Sequence, residues 1–225
     1  MGEKLSFTVN GQKVDGWFAK PESGGGPAVI VIQEWWGLVA HIQDVVDRFA
    51  KEGFVAFAPD LYHGKTTTSP DEAGRLLMEL DIERVGREIA ATGTYLLARP
   101  ECSTKTFGVV GFCMGGALAQ YAATTNPNVG AAVSFYGGFK KVPLRWENLS
   151  GPILMIYGEK DDGVPASGAK PLEDKVKALG KRIETIVFRG ASHGFFNDTR
   201  PTVYSEECAK DAWQRTLAHF KAHLA

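Results

Sequence analysis

Gly111-Phe112-Cys113-Met114-Gly115 sets a cysteine between two glycines at two-residue spacing, after an apolar run and before an Ala/Leu-rich one. The pattern has the form of a nucleophile elbow, G-x-S-x-G, with sulfur in place of the hydroxyl. A side chain on such a strand-to-helix turn has a strained backbone. Bulky residues two positions away would collide there, and glycines remove the collision. The turn also puts the thiol at a helix N-terminus, where the dipole and free N–H groups favour a thiolate. The Met114 N–H is left pointing toward the place where an oxyanion would develop. An ordinary thiol, with a pKa of about 8.5, is only a few per cent thiolate at neutral pH. The chemistry therefore calls for a base, and for a carboxylate to orient it.

Both follow in the order nucleophile, acid, histidine, each just past the end of an apolar stretch that reads as a strand. After Ile153–Tyr157 comes "GEKDDGVP". Asp161 and Asp162 are adjacent, so their side chains diverge and only one can hold an imidazole in its tautomer. Asp161 is the expected acid, with Asp162 and Glu159 left as solvated loop charges. After Ile183–Phe188 comes "GASHGFFND", in which His193 is the expected base, taking the thiol proton and returning it to the leaving oxygen. Of the other histidines, His63 stands before the cysteine in chain order and His41 reads as a helix-start residue. His219 and His223 lie four apart on the last helix without a third ligand, so a solvated helix end and no metal site are expected.

These residues need a scaffold, and the hydrophobic pattern supplies one. Ala28–Gln33, Phe54–Ala58, Phe107–Gly111, Ala131–Phe135, Ile153–Tyr157 and Ile183–Phe188 are continuous apolar runs, as in a parallel sheet covered on both faces. Helical patterns fill the gaps. Ile42, Val45, Val46 and Phe49 recur at helical spacing, and further helices are expected over Asp71–Leu97 (in two pieces), Cys113–Thr124, Pro171–Leu179 and Val203–Leu224. Strands alternating with helices predict βαβ units with right-handed crossovers. "PESGGGP" at Pro21–Pro27 comes too early to divide two domains, so residues 1–225 are expected to form one. The stretch from Phe135 to Ile153 is too short for a cap domain, which predicts an open site suited to a small substrate.

Composition narrows the function classes. With 44% apolar and 23% charged residues and a net charge of −1, nothing points to nucleic acid or an anionic membrane as partner. No window approaches the roughly 18 apolar residues of a membrane span. Three cysteines without CxxC spacing imply no disulfide framework. A reduced cytoplasmic setting, a monomer and no cofactor are the corresponding expectations.

With Cys113, Asp161 and His193 in order, the chain resembles the dienelactone hydrolase (carboxymethylenebutenolidase) family of α/β-hydrolases from about Lys13 to Phe220. The likeness rests on "VIQEWWG" (Val31–Gly37), "APDLYHG" (Ala58–Gly64), "GFCMGG" (Gly111–Gly116), "GEKDDGVP" and "SHGFFND". It implies a single α/β-hydrolase domain with a mainly parallel sheet, helices on both faces and no cap. It also implies a role for Glu34, which in the family lies beside the thiol and helps switch it from a protonated resting state to thiolate. A carboxylate there disfavours a second negative charge. The Trp35 N–H would be the second oxyanion donor beside Met114, and Trp36, Tyr136, Phe195 and Asn197 would contact substrate. One departure stands out. Family members acting on dienelactone hold its carboxylate with arginines, one of them four residues after the histidine, and here that position is Asn197. Arg75 and Arg200 are nearby in sequence, but neither is an identified counterpart. The expected function is hydrolysis of a small lactone or carboxylic ester through a cysteine acyl-enzyme. The alternatives are a short-chain carboxylesterase that does not act on dienelactone, and a redox or ligand-binding protein with Cys113 as sensor.

Overall fold

Chain alternation between apolar runs and amphipathic helices produces one eight-stranded sheet in the computed structural model, which describes residues 2–224. The strands are β1 (Glu3–Val9), β2 (Gln12–Ala19), β3 (Gly26–Ile32), β4 (Val55–Pro59), β5 (Cys102–Phe112), β6 (Val129–Phe135), β7 (Ile153–Gly158) and β8 (Ile183–Phe188). Their spatial order is β1-β2-β4-β3-β5-β6-β7-β8. From β4 to β8 every pairing is parallel, as the uninterrupted apolar runs require. The antiparallel exception is the edge made by β1 and β2. That hairpin turns on Asn10-Gly11, both at positive φ (51° and 77°), the conformation an Asn-Gly hairpin turn needs.

The helices are α1 (Ala40–Lys51), α2 (Pro70–Glu79), α3 (Ile82–Leu97), α4 (Met114–Thr125), α5 (Ala169–Ala178) and α6 (Glu206–His223). The expected break inside Asp71–Leu97 falls at Leu80-Asp81, where the Asp81 carboxylate accepts the Arg84 N–H and starts α3. Residues alternate along β3 between two buried layers. Ala28, Ile30 and Ile32 belong to the buried layer that also holds residues of α3, α4 and α5, whereas Val29 and Val31 belong to the layer that holds residues of α1 and α6. Among the described residues no helix is long and apolar enough to cross a membrane. β5 starts five residues before the expected Phe107, because Cys102–Thr106 alternates half-buried and exposed positions and so carries no apolar run. The connection from β6 to β7 holds only a single 3-10 turn, Trp146–Asn148.

The two glycines around Cys113 have a steric reason. A Cβ on Gly111 would stand 1.9 Å from the Gly115 carbonyl oxygen, and one on Gly115 would stand 2.4 Å from the Ile32 carbonyl oxygen. Only at glycine can α4 start this close to β5 and β3. Its first turn is therefore pressed against the ends of those strands.

Candidate active site

Five neighbouring strands end at one edge of the sheet, and a chemically capable side chain follows each. Glu34 comes after β3, Cys113 after β5, Tyr136 after β6, Asp161 after β7 and His193 after β8. Cys113 has φ 55° and ψ −116°, outside the regions a side chain prefers, and it is the N-cap of α4. Its N–H donates to the Phe135 carbonyl (3.0 Å), and its own carbonyl accepts from Gly116 and Ala117, which begins the helix. The thiol is half-buried, neither walled off nor fully open. Neither the Met114 N–H nor the Trp35 N–H finds an acceptor among the described residues. Both backbone donors are free for a ligand. The Met114 sulfur is fixed from behind by the Tyr62 hydroxyl, which donates to it over 3.3 Å.

The choice between the two aspartates is resolved by burial. Asp161 is buried and Asp162 exposed. One oxygen of Asp161 accepts the N–H groups of Gly163 and Val164 at 2.9 and 2.8 Å, and the other lies 2.7 Å from His193 Nδ1. The two loops are joined below this contact by the Lys160 N–H, which donates to the Ala191 carbonyl. Burial pulls the His193 pKa down. The hydrogen bonds and charges of Asp161 and Cys113 outweigh that and push it up to about 10. Held this way, the ring favours its protonated form.

A stability prediction follows, with its sign fixed by the direction of the shift. A folded-state pKa above the ordinary 6.5 contributes stability in full below 6.5, which is lost as pH rises through about 10. The urea-midpoint advantage of the native protein over His193→Gln should therefore shrink steadily across that window. A constant advantage would show that the ring is not held as an imidazolium.

Glu34 is buried, and the Asn197 amide donates to it at 2.7 Å. Burial raises its pKa. The Asn197 hydrogen bond and the charges of Arg200 and His193 pull the other way without cancelling it. Tyr136 is fully buried, with its ring centroid 4.9 Å from that of His193 and its hydroxyl without a hydrogen-bond partner. Burial foremost, then Glu34 and Cys113, disfavour its ionisation. Trp36 is half-buried and packs edge-on against Trp35 at 5.0 Å.

Three of the residues expected against substrate have almost no exposed surface, Tyr136 above and two from the segment after β8. Phe195 has no exposed surface and packs among Phe188, Tyr136 and Phe135, because the turn after His193 tucks it under the sheet end. Asn197 is equally buried, and its amide is committed to Glu34 and Thr199. The last helix also departs from expectation. His219 is half-buried, and its Nε2 lies 3.3 Å from the Pro152 carbonyl oxygen. Burial, with His223 beside it, lowers its pKa to about 4. Among the described residues no group of three or more His, Cys, Asp or Glu is placed to hold a metal ion.

Arg200 is the residue that sequence reasoning left unassigned. Its guanidinium carbon lies 5.4 Å from the Trp36 ring centroid, its Nη1 stands over Gly194 next to His193, and its charge acts on Glu34 and Tyr136. No carboxylate among the described residues pairs with it. Arg75, the other nearby arginine, is committed to Glu72 and Glu79 on the exposed face of α2. Periodicity could not find Arg200, since it lies in an irregular loop.

The comparisons with known proteins place the whole chain and its fold in one family. The profile of the Dienelactone hydrolase family matches residues 14–224. "Protein usf" of Aquifex pyrophilus is 41% identical over 231 residues, covering 100% of both chains. A "Putative carboxymethylenebutenolidase" of Aquifex aeolicus is 37% identical over 231 residues, again covering 100% of each. Among solved structures, a "Putative Dienelactone Hydrolase" from Klebsiella pneumoniae superposes with a TM-score of 0.89 at 30% identity, covering 99% of each chain. The chain belongs to the dienelactone hydrolase family, a family of carboxylic ester hydrolases.

Proposed function

We propose that the protein hydrolyses a small lactone or carboxylic ester through a thioester at Cys113. The observation that carries this reading is the 2.7 Å contact from His193 Nδ1 to a buried Asp161, beside a thiol held at the strained head of a helix. In the first half-reaction the Cys113 sulfur bonds to the substrate carbonyl carbon, with its proton on His193. The Met114 and Trp35 N–H groups receive the oxyanion; each such donor stabilises the transition state by roughly 2.7–4 kcal/mol. His193 then gives its proton to the departing oxygen as the C–O bond breaks. In the second half a water loses its proton to His193 and attacks the thioester carbonyl. The acid leaves, and the sulfur regains its proton.

The test is direct. Incubated with a short-chain aryl ester or an enol-lactone, the protein should gain one acyl mass on the peptide holding Cys113 during turnover. Full turnover after alkylation of that thiol would overturn the reading.

Arg200 bears on the substrate. An unpaired guanidinium, half-buried over an aromatic ring at the site, suits an ester or lactone that carries its own carboxylate. The ratio of kcat/KM for a carboxylate-bearing ester over its neutral analogue should fall about tenfold in Arg200→Ala, the loss of one charge-assisted hydrogen bond. An unchanged ratio would remove Arg200 from substrate recognition.

A further inference from the structure

The segment Asp60–Gly64, "DLYHG", follows β4 and takes no part in the chemistry described so far. Two of its residues nevertheless contact both segments that carry the free backbone N–H groups of the site. The Leu61 N–H donates to Gln33 Oε1 at 3.2 Å, two residues before Trp35. The Tyr62 hydroxyl donates at 3.3 Å to the sulfur of Met114, whose N–H is the other free donor. Gln33, Leu61, Tyr62 and Met114 are all buried. Further along the same connection, the Thr67 N–H donates to the Trp36 carbonyl at 3.0 Å.

The loop is itself fixed. Asp60 accepts the N–H groups of Tyr62 (3.2 Å) and Gly64 (2.6 Å) on its two carboxylate oxygens. The Asp60 N–H donates to the Asp15 carbonyl at 2.8 Å. Gln33 shows that the contact with Leu61 has a purpose beyond filling space. Its Nε2 is buried without a partner among the described residues, a cost that an apolar side chain there would avoid. In return the glutamine supplies an acceptor to an equally buried N–H. On the other side, Tyr62 sets a strong donor against a thioether, a weak acceptor. Burial foremost, then a charge on Cys113, raises its pKa, so the hydroxyl remains a donor.

Resting on the reading that the Trp35 and Met114 N–H groups receive the oxyanion, we propose that Leu61 and Tyr62 brace those two donors at a fixed spacing, with Tyr62 and Gln33 as positioning residues. The donors lie on different elements, one just past β3 and the other at the first residue of α4. At Gly115 these elements already touch, since a Cβ there would stand 2.4 and 2.5 Å from the Ile32 and Gln33 carbonyl oxygens. That contact stops them from approaching further. The brace stops them from parting. Misplacement on the order of 1 Å can cost a reaction about a hundredfold, so a single contact that holds the spacing has leverage on the rate.

Tyr62→Phe keeps the ring and loses only the hydroxyl. With a short-chain aryl ester its kcat should fall about fivefold, the worth of one hydrogen bond, with KM unchanged. Alkylation of Cys113 by iodoacetamide should keep its native rate, because displacement at a saturated carbon develops no oxyanion. The kcat/KM ratio of the ester to its thionocarbonyl analogue should fall as well, since sulfur accepts hydrogen bonds weakly and gains less from well-placed donors. Met114→Leu removes the acceptor and keeps the backbone donor. It should match Tyr62→Phe, and the double variant should lose no more than either alone. Gln33→Met should give the same pattern from the β3 side, and Tyr62→Phe keeps the test open if that variant does not fold. Additive losses in the double variant, or a native kcat and a native ester-to-thionoester ratio in Tyr62→Phe, would overturn the brace in a protein that still acylates Cys113. A native protein that never carries an acyl group on Cys113 would overturn the reading of the site, and this proposal with it.

Discussion

Replacing Cys113 with alanine is expected to lower ester hydrolysis by on the order of 10⁵–10⁶-fold, the scale on which removing a triad nucleophile acts. The residual rate would come from the backbone donors and from substrate positioning. The loss should not come from unfolding. Cys113 sits at φ 55°, its side chain makes no cap hydrogen bond, and a smaller residue places no larger demand on that backbone. Cys113→Gly should go further, being equally inactive and measurably more stable, because glycine alone adopts the turn without strain. Such a pair of results would show stability given up for function at one position. Turnover by the alanine variant at even a hundredth of the native rate, with circular dichroism unchanged, would mean that sulfur does not form the covalent bond.

Asp161→Asn is the second large effect, and its size follows from the hydrogen-bond inventory. One carboxylate oxygen accepts two backbone N–H groups, from Gly163 and Val164. The asparagine must keep its carbonyl oxygen there, since its NH₂ cannot face two donors. The NH₂ is then turned toward His193 Nδ1, which must accept a hydrogen bond instead of donating one. That moves the ring proton to Nε2, the wrong tautomer for taking a proton from the thiol. The expected result is a fall in kcat of about 10³–10⁴-fold with little change in KM and a fold that survives, since shape and two of three hydrogen bonds are kept. A loss under tenfold would show that His193 does not need Asp161. Equal losses in kcat and in cooperative unfolding free energy would assign Asp161 to structure instead.

Much of the frame was legible before any coordinates. Continuous apolar runs marked the parallel strands because both faces of such a sheet are covered, as the two layers around Val29 and Ile30 show. The helix α1 came from its own spacing of Ile42, Val45, Val46 and Phe49, all buried. The antiparallel hairpin β1–β2 was less visible, since its exposed outer strand has no continuous apolar run. Its plainest signal, Asn10-Gly11, lies in the turn.

The elbow motif, the chain order Cys113, Asp161, His193 and the alternation that builds the sheet are all written in the linear chain. Each is a matter of residues near one another in the chain, where steric limits and periodicity act. What folding alone settles is that Phe195 belongs to the core, that Asn197 donates to Glu34 and that Arg200 stands over Trp36, while the preference for Asp161 over Asp162 was already an expectation. The reason is physical. Those assignments depend on burial and on contacts across as many as 163 residues, made where separate loops converge past the strand ends, and no local pattern encodes which side chain a distant loop will meet.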